Sequence, residues 1–368
     1  MRIAFLIDRL SLDGVSRVCL TQSKGLASRG VKVAIFTKKV SPHILKSLDN
    51  INIFRVYSEG YNVRNMLRSL SEYDIVHSHY ITLSTLGSLI SLAGIPHIFH
   101  EHGHFFPYFP RSFKSFAGFT RYILFESPNI ILSKRIIAIS NFIDREIRRI
   151  FPFANAQKIR VVYNPIDSEI FGPVKTEKAR ELLGLDGFQH IILSIQSPGR
   201  QNDYEYIQIV KTILSKQKNT AIIIITRNRY SYDCIKEKLK SLTSVMIYNN
   251  IPSDRHLNLL YNASDVYFTI SRWESFGNTI AEAMFAGKPV IGYDITAIGE
   301  LIVNGFNGFK VPTGRWDLLT NAILTLLNDE EIRKQFGRNA REFAVKSFSL
   351  DVITQRLLAI YKEVMESK

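Results

Sequence analysis

The stretch VYFTISRWESFGNTIAEAMFAGKPVIGY, Val266 to Tyr293, carries the pattern of a complete strand–loop–helix–strand unit. Val266–Ile270 is a short apolar run, which predicts a strand. Thr279 is a residue type that caps helices. The apolar stripe of the predicted helix consists of Ile280, Ala283 and Met284. Gly287 and Pro289 then end that helix before the next apolar run. A unit of this kind is typical of a parallel sheet covered by helices.

Strands and helices alternate in the same way along most of the chain. In the first half the predicted strands are Ile3–Ile7, Lys32–Thr37, Ile51–Val56, Asp74–His77, Pro96–His100, Ile136–Ile139 and Arg160–Tyr163. In the second half they are His190–Ile195, Ala221–Thr226, Val245–Tyr248, Val266–Ile270, Pro289–Tyr293 and Phe309–Val311. Helical spacing at Val15–Ala27 and Leu83–Leu92 separates strands, so we expect parallel sheets covered on both faces.

One break interrupts this alternation. The segment YNPIDSEIFGP, Tyr163–Pro173, contains two prolines and a glycine, which predict a linker. We therefore predict an α/β protein with two doubly wound domains, residues 1–168 and 169–349, and a helix in the last segment. In such folds ligands bind beyond the carboxyl ends of the strands, and a cleft between two domains adds to that preference.

Composition excludes several classes of protein. The chain has 368 residues, of which 46% are hydrophobic, too many for a disordered protein. Its longest aliphatic run, Ala221–Ile225, is far shorter than the ~20 residues of a membrane span. No small-residue cleavage site follows the first strand, so we expect no signal peptide. Cys19 and Cys234 lack paired spacing, which favours a reducing compartment over a zinc site or disulfide framework.

The formal net charge of +14 favours anionic partners. Polyanions, anionic lipid surfaces and phosphorylated small molecules all fit that charge. The sequence contains no zinc finger, aromatic RNA-binding motif or basic heptad region, so we expect no nucleic-acid partner.

The loop ESFGN, Glu274–Asn278, leads into a predicted helix N-terminus, where backbone N–H groups and the helix dipole favour an anion such as a diphosphate. Gly277 allows close backbone approach to a ligand. From the first helical turn Glu282 can accept hydrogen bonds from two vicinal hydroxyls, as a ribose presents them. Glu274 lies outside the helix and would contact another part of the same ligand. Spacing alone also fits a helix-favouring glutamate and a solvated loop glutamate.

With the segment that follows it, this loop resembles the carboxy-terminal signature of retaining glycosyltransferases of family 4. The matching residues are Glu274, Ser275, Phe276, Gly277, Glu282, Ala283, Gly287, Pro289, Val290 and Ile291, then Glu300, Asn304, Gly305 and Gly308. Matches upstream are Gly14, Asp74–His79, Glu101–Gly103 and Tyr163–Asp167. The resemblance implies the GT-B fold, two Rossmann-like domains facing across a cleft, and a last helix, 350–368, that packs back on the first domain.

The resemblance also implies an activity. It is transfer of a sugar, with retention and without a metal or other cofactor, from a nucleotide-sugar (most often a UDP-sugar) to a hydroxyl acceptor. The implied catalytic residues are His102 and Glu274, both at the donor sugar. The implied donor-binding residues are Gly14, Glu274, Ser275, Phe276, Gly277, Asn278, Thr279 and Glu282, with Glu282 on the ribose. To these we add Arg200, which is not a family match, as a candidate for the diphosphate. We expect the base near Asn249–Ile251.

The chain departs from the family where an Arg and a Lys usually reach the diphosphate. Gln196 and Gln201 stand at those positions, and Arg200 is the one cation of that segment. TRNR, Thr226–Arg229, replaces a glycine-rich turn and adds two arginines. Either Arg200 takes over the phosphate contact, or the donor is held differently, or the enzyme is weak or inactive. The retained glutamates favour the first two interpretations.

Two further segments leave alternatives open. FHEHGHFF places His100, His102 and His104 at period two, which fits metal ligands or polar residues at a strand end. The resemblance selects His102 instead, and His77 and His79 are expected to organise a strand end. In Pro110–Arg121 three phenylalanines at helical spacing interleave with basic residues, which fits a membrane-touching surface or a core-facing stripe equally well.

Similar enzymes often act on lipid-linked acceptors at the cytoplasmic face of the membrane. We therefore expect a cytoplasmic protein with a nucleotide-sugar donor, a glycan or lipid-linked acceptor, and peripheral contact with an anionic membrane as one of the alternatives. A GT-B nucleotide-sugar epimerase and a non-catalytic subunit of this fold remain competing functions.

Overall fold

The computed structural model describes residues 1–11, 13–41, 44, 54–57, 63–79, 85–103, 123–124, 126–196, 202–226 and 228–367. The chain forms two compact units, one of Met1–Pro165 with Leu350–Lys368 and the other of Ile166–Ser349. The sequence-based division at 168/169 lies close to this boundary.

The first unit is built on a parallel sheet. Its strands are β1 (Arg2–Leu10), β2 (Lys32–Val40), β3 (Phe54–Tyr57), β4 (Ile75–His79), β5 (His97–Glu101), β6 (Arg135–Ala138) and β7 (Ile159–Val161). Their order in the sheet is β3-β2-β1-β4-β5-β6-β7. Strand order therefore reverses between β1 and β4, which is where doubly wound folds open a crevice for ligands.

Helices connect these strands. Helices of the first unit include α1 (Gly14–Ser28), α2 (Val63–Leu70), α3 (Thr85–Leu92) and α4 (Asn141–Ile150). The last helix of the chain packs on the same unit and is introduced below with its own contacts. Each helix links two parallel strands, as the alternation in the sequence predicts.

The second unit repeats the topology of the first. Its strands are β8 (His190–Gln196), β9 (Thr220–Thr226), β10 (Val245–Tyr248), β11 (Val266–Phe268), β12 (Val290–Tyr293) and β13 (Gly308–Val311), in the order β10-β9-β8-β11-β12-β13. Its helices are α5 (Thr176–Leu183), α6 (Asp203–Lys216), α7 (Arg229–Leu239), α8 (Asp254–Ala263), α9 (Asn278–Phe285), α10 (Ile298–Leu301), α11 (Trp316–Asn328) and α12 (Glu330–Phe348). The reversal here lies between β8 and β11.

The prediction of a doubly wound α/β protein is confirmed. Every predicted strand has a counterpart in the structure. The first three residues of the third predicted strand, 51–53, lie outside the described residues. One detail was wrong: α9 begins at Asn278 and its N-cap is Gly277, so Thr279 lies inside the helix. Strand β11 is also shorter than predicted and ends at Phe268.

The last helix, α13 (Leu350–Glu366), completes the core of the first unit. Its inner side buries Ile353, Leu357, Tyr361 and Val364 in the cluster that also contains β1 and α1 residues. A methyl group at Gly25 of α1 would overlap the side chain of Thr354, so the absence of a side chain there permits the close approach of the two helices. Burial of each large aliphatic side chain contributes roughly 1.5–3 kcal/mol.

Among the described residues, no helix combines the length and the apolar character needed to cross a membrane.

Candidate active site

In the second unit the signature loop occupies the carboxyl edge of the sheet, between β11 and α9. Gly277 ends the loop with φ of +99°, a left-handed conformation that favours glycine. A methyl group there would also lie 3.1 Å from the Ile280 side chain and 3.3 Å from that of Leu301. Glycine has no side chain to cap α9, and no side-chain cap is found within the described residues. The first turn of α9 is therefore suited to an external anion.

Glu274 is held in this loop by its backbone and by its side chain. Its N–H donates to the Thr296 hydroxyl at 3.1 Å, and its carbonyl accepts from the N–H of Ala297 at 3.3 Å. The Ser271 hydroxyl donates to its carboxylate Oε1 at 3.0 Å. The side chain is half-buried. The structure thus orients one carboxylate at the start of the loop, on a backbone pinned at two points.

Glu282 lies one turn into α9 and is only 1% exposed. The hydroxyl of the fully buried Tyr261 donates to its Oε2 at 2.9 Å. Burial of a carboxylate is costly unless hydrogen bonds compensate it. The alternative of a solvated helix-favouring glutamate is therefore wrong for Glu282, and the sequence contained no local signal for its partner Tyr261.

The glycine that closes the family signature has a packing role. A methyl group at Gly308 would overlap the carbonyl oxygen of Val290 on the neighbouring strand β12. Just before it, the buried side chain of Asn307 accepts from the N–H of Val303 at 2.9 Å and donates to the carbonyl of Leu301 at 3.1 Å. These contacts hold the segment after α10 against the base of β13.

Gln196, at the end of β8, stands where the family usually has arginine. It is 4% exposed, and neither its Oε1 nor its Nε2 has a hydrogen-bond partner among the described residues. Buried polar groups are nearly always paired, so a buried amide with both ends unpaired calls for an explanation. Because Gln196 borders the β8–β11 crevice, a bound ligand is a sufficient one.

A charged network that sequence reasoning missed lies at the same edge. Arg272, from the signature loop, forms an ion pair with Oε1 of Glu205 in α6, and the Tyr293 hydroxyl donates to Oε2 of Glu205 at 2.9 Å. Burial and the Glu205 contact raise the pKa of Tyr293, so it stays a donor. The Arg272 side chain is 46% exposed and retains donors beyond those on Glu205.

In the first unit Gly14 is exposed and begins α1, and Asp13 caps that helix. The Asp13 carboxylate accepts from the N–H of Ser16 at 2.8 Å and from the Ser11 hydroxyl. Burial raises the pKa of Asp13, but these hydrogen bonds together lower it by more, so the net shift of the pKa is downward. The Asp13 carboxylate therefore occupies the position of the first glycine of the family's Gly-Gly loop, whose second glycine is matched by Gly14.

The turn after β5 positions His102. The N–H of Gly103 donates to Oε1 of Glu101 at 2.6 Å, and Gly103 has φ of +74°. Nearby, burial raises the pKa of Glu126 to about 8, and the charge of Glu101 adds to that rise. Within this turn the side chain of His102 is only 6% exposed.

Four buried histidines, His77, His79, His100 and His102, form what we call the histidine row. Nε2 of His77 is 3.1 Å from Nδ1 of His100, and Nδ1 of His79 is 3.1 Å from Nε2 of His102. The ring centroids of His100 and His102 are 4.3 Å apart and those of His77 and His79 are 4.6 Å apart, both stacked. Burial, with smaller contributions from neighbouring histidines, lowers the pKa of His77, His79 and His100 well below the usual value. These three rings are therefore neutral near pH 7.

A metal site in this row was one of the alternatives at the sequence level. One nitrogen of each of His77, His79 and His100 lies within 4.8 Å of the others. Nε2 of His77 and Nδ1 of His100 already face each other as a hydrogen-bonded pair, however, and the His79 ring is stacked on that of His77 at 19°, so the ring-plane lone pairs of His79 run alongside those of His77. Lone pairs in nearly parallel planes do not converge on one ion, so this arrangement is a poor metal site.

The structure brings Glu274, Ser275, Phe276, Gly277, Asn278, Thr279 and Glu282 together at the edge of the second sheet, and Asn249–Ile251 follows β10 at that same edge. The Thr279 hydroxyl accepts from that of Tyr267 at 2.9 Å. His102 and Gly14 belong to the first unit. Four sequence-level predictions lie outside the described residues: those on Arg200 with Gln201, on Arg227, on His104, and on Pro110–Arg121.

Two family models match the chain. The model of glycosyltransferase family 4 matches residues 12–170, and that of glycosyl transferases group 1 matches residues 176–343. An Escherichia coli UDP-Gal:alpha-D-GlcNAc-diphosphoundecaprenol alpha-1,3-galactosyltransferase is 24% identical over 385 residues, covering 97% of this chain and 95% of that protein. An uncharacterized glycosyltransferase of Methanocaldococcus jannaschii is 26% identical over 333 residues, covering 88% and 84%.

The fold has a close counterpart among solved structures. Anabaena HepE in complex with UDP superimposes with a TM-score of 0.81 at 20% identity, over 99% of this chain and 100% of that one. The same protein in complex with UDP-glucose gives a TM-score of 0.80 at 20% identity, over 100% of each chain. Taken with the family models, these matches show that the chain belongs to the family 4 glycosyltransferases and has their GT-B fold.

Proposed function

We propose that the chain transfers a sugar, with retention of configuration, from a UDP-sugar to a hydroxyl of a glycan or lipid-linked acceptor. The observation that carries the proposal is the uncapped glycine start of α9, with Glu274 before it and Glu282 one turn into the helix. Two relatives support UDP as the nucleotide, since one is named for UDP-Gal and HepE is described in complex with UDP-glucose.

In this proposal the first turn of α9, at Asn278 and Thr279, binds the diphosphate, and Gly277 allows its close approach. Glu274 accepts hydrogen bonds from hydroxyls of the donor sugar, and Glu282 accepts from the ribose. His102 hydrogen-bonds the transferred sugar. No metal or other cofactor is required, because the donor's own phosphate accepts the proton of the acceptor hydroxyl on the same face of the sugar. The protein contributes positioning and stabilisation of charge.

The arginine and lysine that usually bind the diphosphate in this family are replaced here by Gln196 and Gln201, so other groups must supply the positive charge. We propose that Arg272 supplies positive charge to the diphosphate and that the amide of Gln196 donates to a phosphate or sugar oxygen. The half-exposed guanidinium of Arg272 and the unpaired amide of Gln196 support these roles. A guanidinium fork suits phosphate oxygens. Arg200 stays a proposed phosphate ligand beside them.

We also propose that the protein works in the cytoplasm and touches an anionic membrane. A surface of the first unit combines apolar Ile131, 51% exposed, with Lys134 and Lys158. Lys158 donates to the carbonyl of Ile131 at 2.7 Å, so the basic and the apolar residues of this surface lie side by side. Burial and then the charge of Lys134 lower the pKa of Lys158, as expected where basic groups cluster. Such a surface suits acidic headgroups.

The test is a thermal-shift panel of UDP, GDP, ADP and their sugars, followed by a transfer assay with the best donor. A ligand that binds the native state raises its melting temperature. We expect UDP and a UDP-sugar to give the largest shifts, and nucleotide release only when an acceptor is present. Conversion of the UDP-sugar without an acceptor would instead indicate an epimerase, and binding without any turnover would indicate a non-catalytic subunit.

A further inference from the structure

Tyr361 extends from the last helix, α13, to the histidine row. Its hydroxyl is 2.6 Å from Nδ1 of His77, and both side chains are fully buried. The two rings also pack edge to face, with centroids 5.8 Å apart. Tyr361 and His77 are thus joined by a short contact between positions 284 residues apart in the chain.

The direction of hydrogen bonding follows from counting unpaired groups. If the Tyr361 hydroxyl donates to Nδ1 of His77, then His77 carries its proton on Nε2 and donates to Nδ1 of His100. One buried group, the Nε2–H of His100, is then left without a described partner, as observed. If every bond runs the other way, both the Tyr361 proton and Nε2 of His100 are unpaired. Each unpaired buried group costs stability, so the first arrangement is favoured.

We propose that Tyr361 is a positioning residue that locks His77 and His100 in their Nε2–H tautomers and so orients His102, an inference that rests on the proposed role of His102. Two chains of contacts connect the hydrogen-bonded His77–His100 pair to His102. His100, hydrogen-bonded to His77, stacks on His102, and His79, stacked on His77, hydrogen-bonds Nε2 of His102. Because all four rings are at least nine-tenths buried, none can change its tautomer by exchanging protons freely with water.

The experiment compares the wild type with Tyr361→Phe by nitrogen-15 NMR of the histidine rings, together with kcat and the donor KM. We expect the wild type to show His77 and His100 protonated on Nε2, and Tyr361→Phe to show mixed tautomers. We expect kcat to fall by about tenfold, the value of one hydrogen bond, with donor KM unchanged. Tyr206→Phe is the matched control, since it removes another fully buried tyrosine hydroxyl, one that lies in the second unit and outside the histidine row.

A double-mutant cycle with His77→Gln tests the route. If Tyr361 acts through His77, adding Tyr361→Phe to His77→Gln lowers kcat no further, whereas purely additive effects overturn the inference. It is also overturned if the wild-type His100 is bare at Nε2, or if the purified protein holds one equivalent of a transition metal that His79→Ala removes. Because NMR reads tautomers without turnover, absence of transferase activity would refute the proposed function and not the lock.

Discussion

The Tyr261–Glu282 contact allows the proposed ribose role of Glu282 to be separated from its structural role. Glu282→Ala removes the acceptor of the buried Tyr261 hydroxyl and also the proposed ribose ligand. Tyr261→Phe removes the same hydrogen bond but keeps the carboxylate. We therefore expect both variants to lose stability, and only Glu282→Ala to lose UDP binding.

The magnitudes follow from the geometry. Loss of the carboxylate acceptor of a hydroxyl in this fully buried position costs about 1–3 kcal/mol. For a unit of this size that lowers the melting temperature by roughly 2–12 °C. A lost hydrogen bond to a charged group costs about 1.5–3 kcal/mol in binding, so the UDP dissociation constant should rise between about tenfold and a hundredfold.

The assay is thermal unfolding with and without UDP, at a concentration of about 100 times the wild-type dissociation constant. There UDP stabilises the wild type by about 2.7 kcal/mol, whereas a variant that binds a hundredfold more weakly gains only about 0.4 kcal/mol. Tyr261→Phe should keep most of the UDP shift. A full UDP shift in Glu282→Ala would refute the ribose assignment and leave Glu282 a purely structural anchor.

Two further predictions concern stability. Gly308→Ala should destabilise the second unit by about 1–3 kcal/mol because its methyl group meets the Val290 carbonyl, whereas Gly187→Ala, which has open space, should not. Both are measured by thermal unfolding. Urea unfolding should show that the free energy of unfolding of the first unit falls by a net ~3 kcal/mol when the pH is lowered from 7.5 to 5.5. A flat pH profile would contradict the neutral histidine row.

The sign of that change in stability depends on buried histidines whose pKa values are lowered and on one glutamate whose pKa is raised. The pKa of His97 falls to about 3 through burial, and those of His77, His79 and His100 are lowered as well. Unfolded histidines gain protons as the pH falls through about 6.5, so the stability from these groups is lost there, by about 1.4 kcal/mol each at pH 5.5. Glu126, whose pKa is raised to about 8, stays protonated in the fold and offsets about 2.5 kcal/mol.

The fold could be predicted because each strand is a short apolar run, and runs such as Ala221–Ile225 are buried on both faces. The position of the signature loop followed from the same alternation. The helix start was misplaced because threonine is a frequent capping residue, whereas Gly277 acts through its left-handed backbone and leaves no pattern in side chains. Helix boundaries depend on such local geometry, which spacing does not reveal.

The partners of the site residues could not be predicted. Glu205 meets Arg272 and Tyr293 across 67 and 88 positions, and Tyr361 meets His77 across 284. Local patterns report which face of a strand or helix is buried, and these pairs arise only when distant elements pack. Sequence reasoning did identify Gln196 as unusual, since it replaces an expected cation, but its burial and unpaired amide became visible only in the structure.

The placement of α13 has a consequence for how the protein is made. Its residues Ile353, Leu357 and Val364 complete a core otherwise built from the first 165 residues, yet they are synthesised after the whole second unit. The first unit therefore leaves the ribosome with part of its apolar surface uncovered, while the second unit is contiguous and can fold on its own schedule. Until α13 is synthesised, the growing chain therefore exposes apolar surface that favours aggregation.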